Sequence, residues 1–207
     1  MPDKLSREDE FLLKEYETAV HLTFHVDELR SRFTNLFITI AGAAAAAISL
    51  LLKENSNNTT FGQFEFILGV FLLLVFLVGM FVIAVIARLR RVQLEHFRIT
   101  NNIRKHFLGK NYSLWNVVEL SSETLPSPNI KSGTFFWSMV IMLLNSYFIA
   151  LAIYLFLAEI WYLTSPQSSF VVAIIGAVIF ILLQSALYFC LATPPKPLKY
   201  SKKVPPE

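Results

Sequence analysis

The chain has 207 residues, of which 55% are hydrophobic and 16% charged, with a mean hydropathy of +0.53 and a formal net charge of +3. That apolar share is above a soluble domain's, and Phe at 19 against Gly at 7 suits helices in lipid better than a turn-rich β-barrel. The lone cysteine, Cys190, sits in an apolar run, so the chain carries neither a disulfide framework nor a zinc-type cysteine cluster.

The first residues, MPDKLSREDE, are too polar for a cleavable signal peptide. Ser6 followed by Glu8, Asp9 and Glu10 is a helix start, because the hydroxyl can cap free amides and the acids complement the dipole. Nothing breaks the helix from there to Lys53, which predicts a rod of ~70 Å at 1.5 Å per residue. Its first part, 1–32, reads as a cytoplasmic extension, and the apolar run at roughly 33–52 is long enough to cross a ~30 Å bilayer core.

Within that run the sequence switches from bulky residues to Ala41-Gly42-Ala43-Ala44-Ala45-Ala46-Ala47. At 3–4 spacing, Asn35, Thr39, Gly42, Ala46 and Ser49 share one face, a small and polar stripe that allows close helix approach. The stripe continues backwards through Arg32, Glu28, His25, His21, Thr18 and Lys14, while Leu36, Phe37 and Ile40 lie opposite.

A second apolar run, roughly 64–87, follows a polar loop whose Asn57-Asn58-Thr59-Thr60 holds overlapping glycosylation sequons. It reads as the most lipid-like of the spans, interrupted only by Glu65, Gly69 and Gly79. The helix should continue through RLRRVQLEHFRITNNIRKHF to a stop at Gly109. The two extensions are joined through a hairpin and should run antiparallel, setting Glu10 to Glu17 level with Arg104, Lys105 and Lys110. Their charges either pair or face solvent separately.

Residues 110–133 read as irregular, with Leu114, Trp115, Val117, Val118 and Leu120 as a short strand or interfacial segment and Pro126 and Pro128 as a stiff connector. Two further runs follow, roughly 134–158 and 170–192, the first anchored by Trp137 and by Trp161 with Tyr162. Ser138, Asn145, Ala152 and Glu159 recur every seven residues in one, and Ala173, Ala177, Gln184 and Tyr188 align in the other. The tail TPPKPLKYSKKVPPE reads as disordered, with lysines near anionic headgroups.

The expected fold class is therefore all-α: a polytopic membrane protein with four transmembrane helices, two of them extended into the cytoplasm. Its parts are the extension 1–32, a hairpin 33–88, a cytoplasmic helix and connector 89–133, a hairpin 134–192 and the tail 193–207. Of 18 Lys and Arg, 17 lie in the N-terminal segment, the central 88–133 segment or the tail, so both termini are expected in the cytoplasm.

Polar groups inside spans usually face a bundle interior or water. Asn35, Asn145 and Gln184 therefore read either as hydrogen bonds between helices of one protomer or, with Thr39, Gly42, Ala46 and Ser49, as the lining of an oligomer interface or pore. Glu159 reads as solvated near the interface or as part of a charged ring. His21 and His25, bracketed by Glu17 and Glu28, have the i,i+4 spacing of metal ligands. The pattern is not HExxH, and no metal or other cofactor is expected; a pH-responsive contact is the other reading. Arg98, Arg104, Lys105 and Trp115 are candidate contacts for a soluble cytoplasmic partner.

No phosphate loop, GxSxG, CxxC or paired carboxylates occur, so an enzyme is not expected, nor is nucleic-acid binding. The stretches LKEYETAVHLTFHVDELRSRFTNLFITIAGA, RLRRVQLEHFRITNNIRKHFLG and SSETLPSPNIKSGTFFW resemble small prokaryotic four-helix membrane proteins, among them RipA-like octameric membrane proteins and SLATT-type transmembrane effectors of bacterial defence. That resemblance implies a homo-oligomer in the bacterial inner membrane, acting as a pore or membrane-perturbing effector. The alternative is a non-catalytic scaffold that recruits a soluble partner.

Overall fold

A computed structural model describes residues 6–55, 61–110, 133–160 and 166–193, with side chains described over 6–50, 65–107, 133–157 and 167–193. These form four helices: α1 (Arg7–Asn55), α2 (Phe61–Lys110), α3 (Gly133–Ile160) and α4 (Pro166–Ala192). All four are long and apolar enough to cross a membrane.

The sequence explains where the helices begin. Ser6 caps α1, its Oγ accepting from the Asp9 amide at 3.1 Å and its carbonyl from the Glu10 amide at 3.0 Å. Pro166 opens α4 at the first helical position, where its fixed φ and missing N–H carry no penalty. Gly109, the expected stop of the second helix, instead lies inside its last turn, and α2 ends one residue later at Lys110. The segment 111–132, expected to be irregular, lies outside the described residues, as do the sequons at 57–60 and the aromatic pair Trp161 and Tyr162.

α1 and α2 are 49 and 50 residues long, ~75 Å each. They run antiparallel over most of that length. Asp9 meets His106, Tyr16 meets Arg104, Asp27 meets Gln93, and Ala44 and Ile48 pack with Leu68 and Leu72. α3 starts level with Arg30 and descends beside α2, placing Phe156 at Gly69. α4 returns beside α3, so that Tyr188 reaches Phe135 (ring centroids 5.6 Å apart). The segments 7–26 of α1 and 94–110 of α2 thus form a two-helix arm beyond the ends of α3 and α4.

The second run is not the most lipid-like element in its packing. α2 touches every other helix, whereas the most apolar stretch of α4 is the least buried of the four such stretches. Leucine and phenylalanine serve equally against lipid and against another helix, so hydropathy does not distinguish the two. The glycines do. A Cβ built at Gly79 would lie 2.5 Å from Asn145 Cγ, 2.8 Å from Phe37 Cε2 and closer still to Asn145 Oδ1. At Gly69 it would lie 3.0 Å from Phe156 Cζ. These two notches let α3 seat on α2 at backbone distance.

Two clusters form the core. One joins Phe37, Val82, Ile83 and Ile86 to Phe135, Met142 and Tyr188; the other joins Ala41, Ala44 and Ile48 to Leu72, Val75, Phe148 and Ala152. Close contact over such surfaces sums many weak dispersion terms, which is what a tight interior contributes when solvent exclusion contributes little.

Candidate functional site

The polyalanine run serves two masters. Ala41 and Ala44 are buried against α2, on the same face as Phe37 and Ile48. Gly42, Ala43, Ala45 and Ala46 face away from the protomer. The whole stripe Asn35, Thr39, Gly42, Ala46 and Ser49 is exposed, and a Cβ built at Gly42 would meet no atom within 4 Å. Thr39 and Ser49 donate their hydroxyl protons to their own helix, to Asn35 O and Ala45 O, both at 2.9 Å. Their oxygens stay on the outer face as acceptors.

The polar residues of α3 and α4 go the other way. Asn145 and Gln184 are fully buried inside the protomer, with Asn145 Nδ2 donating to Gln184 Oε1 at 3.5 Å and Gln184 Nε2 donating to Ser146 Oγ at 3.1 Å. Asn145 Oδ1 is buried without a hydrogen-bond partner and rests in the notch of Gly79. Of the two readings of these amides, their contacts are those within one protomer. Glu159 lies in the last turns of α3, its side chain outside the described residues.

At the base of the arm lies a charged knot of which Asp27, Arg30, Arg90 and Gln93 were not among the sequence candidates. Gln93 is its hub. It donates from Nε2 to Asp27 Oδ1 at 2.9 Å and accepts through Oε1 from Arg90 Nη1 at 2.6 Å and Arg30 Nη1 at 3.4 Å. Arg30 Nη2 also pairs with Asp27 at 2.8 Å, and its Nη1 lies 3.4 Å from Thr134 Oγ1 on α3. Arg90 and Gln93 are about 95% buried, at 5% and 4% exposure. A guanidinium this enclosed requires partners, since an uncompensated buried charge costs several kcal/mol. The signal was present in the sequence: Arg90 and Gln93 continue the inward row Ile83, Ile86 and Ala87 at 3–4 spacing.

Higher on the arm, Arg104 donates to Tyr16 Oη at 2.9 Å and lies over the same ring, 5.6 Å from its centroid. The basic row of α2 therefore meets a tyrosine between the expected acids, while Glu10 and Glu17 are exposed. Asp9 lies 3.5 Å from His106 Nε2. Arg98 is half-buried, Lys105 is exposed, and Trp115 lies outside the described residues. His21 is exposed; His25 Nδ1 lies 3.9 Å from Glu28 Oε2, and Glu28 is bonded to Arg32 at 2.6 Å. Among the described residues no three His, Cys, Asp or Glu side chains converge as a metal group.

No protein-family model, curated protein or solved structure matches the chain. Two concavities lie among the described residues. An open groove of about 860 Å³ between α3 and α4 is lined by Tyr147, Ala150, Tyr154 and Phe170, with no Asp, Glu, Lys, Arg or His. A smaller cavity of about 230 Å³ lies between α1 and α3 beside the charged knot.

Proposed function

We propose that this chain is a multi-pass protein of the bacterial inner membrane whose copies assemble through the outer face of α1 around a shared, conductive or membrane-perturbing centre. Its arm and both termini lie in the cytoplasm, where the arm serves assembly or triggering. The observation that carries the reading is the exposed stripe from Asn35 to Ser49, whose residues from Thr39 onward pack against no other helix of the protomer although they suit close helix contact better than lipid. The acceptor oxygens of Thr39 and Ser49 would give such a centre a mildly cation-favouring wall. The resemblance to RipA-like and SLATT-type proteins supports the same reading.

Particle size in nanodiscs and ion flux from proteoliposomes test it together. Gly42→Leu, Ala46→Leu and Ser49→Leu should reduce both, because each adds bulk on the contact face without meeting anything inside the protomer. A monomeric particle with no flux, or assembly unaltered by all three changes, refutes the proposal.

A second reading, a scaffold holding a soluble partner, is favoured by the exposed Phe11, Leu13, Leu22 and Phe24 on the arm. Phe24 is 69% exposed, unusual for a large apolar residue outside a span. A chain lacking residues 1–30 separates the readings: a scaffold loses its partner and never carries current.

A further inference from the structure

The cavity between α1 and α3 is amphiphilic, and its two ends differ in an ordered way. Asp27, Arg30 and Thr134 stand at one end and Ile38 at the other, with Thr34, Ser138, Ile86 and Trp137 between them. From Arg30 to Ile38 is ~12 Å along the helix. We propose that this cavity binds an anionic phospholipid, its phosphate at Arg30 and its ester region and first acyl carbons running down toward Ile38 and Trp137.

Arg30 is the donor such a phosphate requires. Its Nη2 is committed to Asp27 at 2.8 Å, whereas among the described residues its Nη1 makes two contacts of 3.4 Å, at the outer limit for hydrogen bonds. A phosphate oxygen would complete that geometry, and guanidinium–phosphate contacts are among the stronger charge-assisted bonds. The charge balance agrees. Arg30 and Arg90 against Asp27, all joined through Gln93, leave one positive charge in excess. Ser31 and the exposed Asn35 carboxamide add neutral donors at the rim.

The apolar end argues for a lipid over free phosphate, because inorganic phosphate has no use for Ile38, Ile86 or an indole. Trp137 is 61% exposed, as an interfacial anchor beside a headgroup would be. The level agrees as well, since Arg30 just precedes the first apolar run and Arg90 just follows the second. The inference rests on the helices spanning a bilayer and is independent of conduction.

The test uses the full chain with Trp115→Phe and Trp161→Phe, so that Trp137 alone reports, in vesicles containing phosphatidylcholine and phosphatidylglycerol. Either lipid is supplied in acyl-brominated form as a quencher. Brominated phosphatidylglycerol should quench with a roughly five-fold preference over brominated phosphatidylcholine, the size of one arginine's attraction to an anionic lipid. Arg30→Gln should bring the ratio to about one. Asp27→Asn, which removes the competing carboxylate, should raise it, an opposite response that a purely structural role for the pair would not produce. Millimolar inorganic phosphate should leave the ratio unchanged. Equal quenching by both lipids, a preference that survives Arg30→Gln, or abolition by inorganic phosphate overturns the lipid site. Quenching by neither lipid overturns the bilayer reading itself, so the two failures are distinct.

Discussion

Replacing Gly79 with alanine would place a methyl group where α3 already is. The new Cβ would sit 2.5 Å from Asn145 Cγ and 2.8 Å from Phe37 Cε2, side chains that are both fully buried and so have little room to turn away. Overpacking of this kind costs about 1–3 kcal/mol. Displacing the Asn145 amide weakens its bond to Gln184, a further ~0.6–1.7 kcal/mol on the scale known for bonds between helices in bilayers. Alanine regains ~0.8–1.0 kcal/mol of helix propensity. The net expectation is a loss of roughly 1–4 kcal/mol. Gly42→Ala, with nothing within 4 Å, keeps only the propensity gain and should leave the protomer as stable or slightly more so. Gly69→Ala should fall between them, because the atoms it meets at 3.0–3.3 Å belong to the swinging end of the Phe156 ring. Thermal or denaturant unfolding of the purified protein, followed by tryptophan fluorescence, ranks the three. Pairing Gly79→Ala with Asn145→Ala should recover part of the loss, since the truncated side chain vacates its share of the contested space while Phe37 still crowds the methyl. Gly79→Ala behaving like Gly42→Ala, or no recovery in the pair, would refute the packing of α3 on α2.

Two further outcomes follow from the arm and its base. Gln93→Leu removes the hub that holds Arg90, Arg30 and Asp27, and should cost about 2–4 kcal/mol; Gln93→Glu, which keeps an acceptor for both arginines but opposes Asp27, should cost less, and thermal melting checks the order. Tyr16→Phe loses only the hydrogen bond to Arg104, about 0.5–1 kcal/mol, whereas Tyr16→Ala also loses the cation–π contact and should open the arm further, read as faster hydrogen exchange around residues 12–20 and 100–107.

Much of the architecture was written plainly in the chain. The Ser6 cap, the unbroken run into the first span and the antiparallel return are local consequences of capping, the absence of proline and a short connection. What hydropathy did not convey was which apolar surface meets a helix. The phenylalanines and leucines of the 64–87 run looked like lipid contact, and only Gly69 and Gly79 marked the faces where α3 lands. The buried knot is hard to read because three arginines directly after an apolar run point to solvent, although Arg90 stands on the inward row with Ile83 and Ile86. Tyr16 stands among acids, where charge complementarity points to Glu10 and Glu17 and not to a ring that a guanidinium can cover. The stripe on α1 was legible as a face, but a single chain shows only that its own helices do not use it.

The continuity of α1 has a mechanical corollary. Tyr16 holds the arm to α2 through Arg104 ~21 Å along the rod from Arg30, while Ala44 and Ile48 hold the same rod to α2 ~21–27 Å on the other side. One unbroken helix is thus pinned to one partner at both ends, so parting the arm at the tyrosine strains a rod whose far half stays clamped.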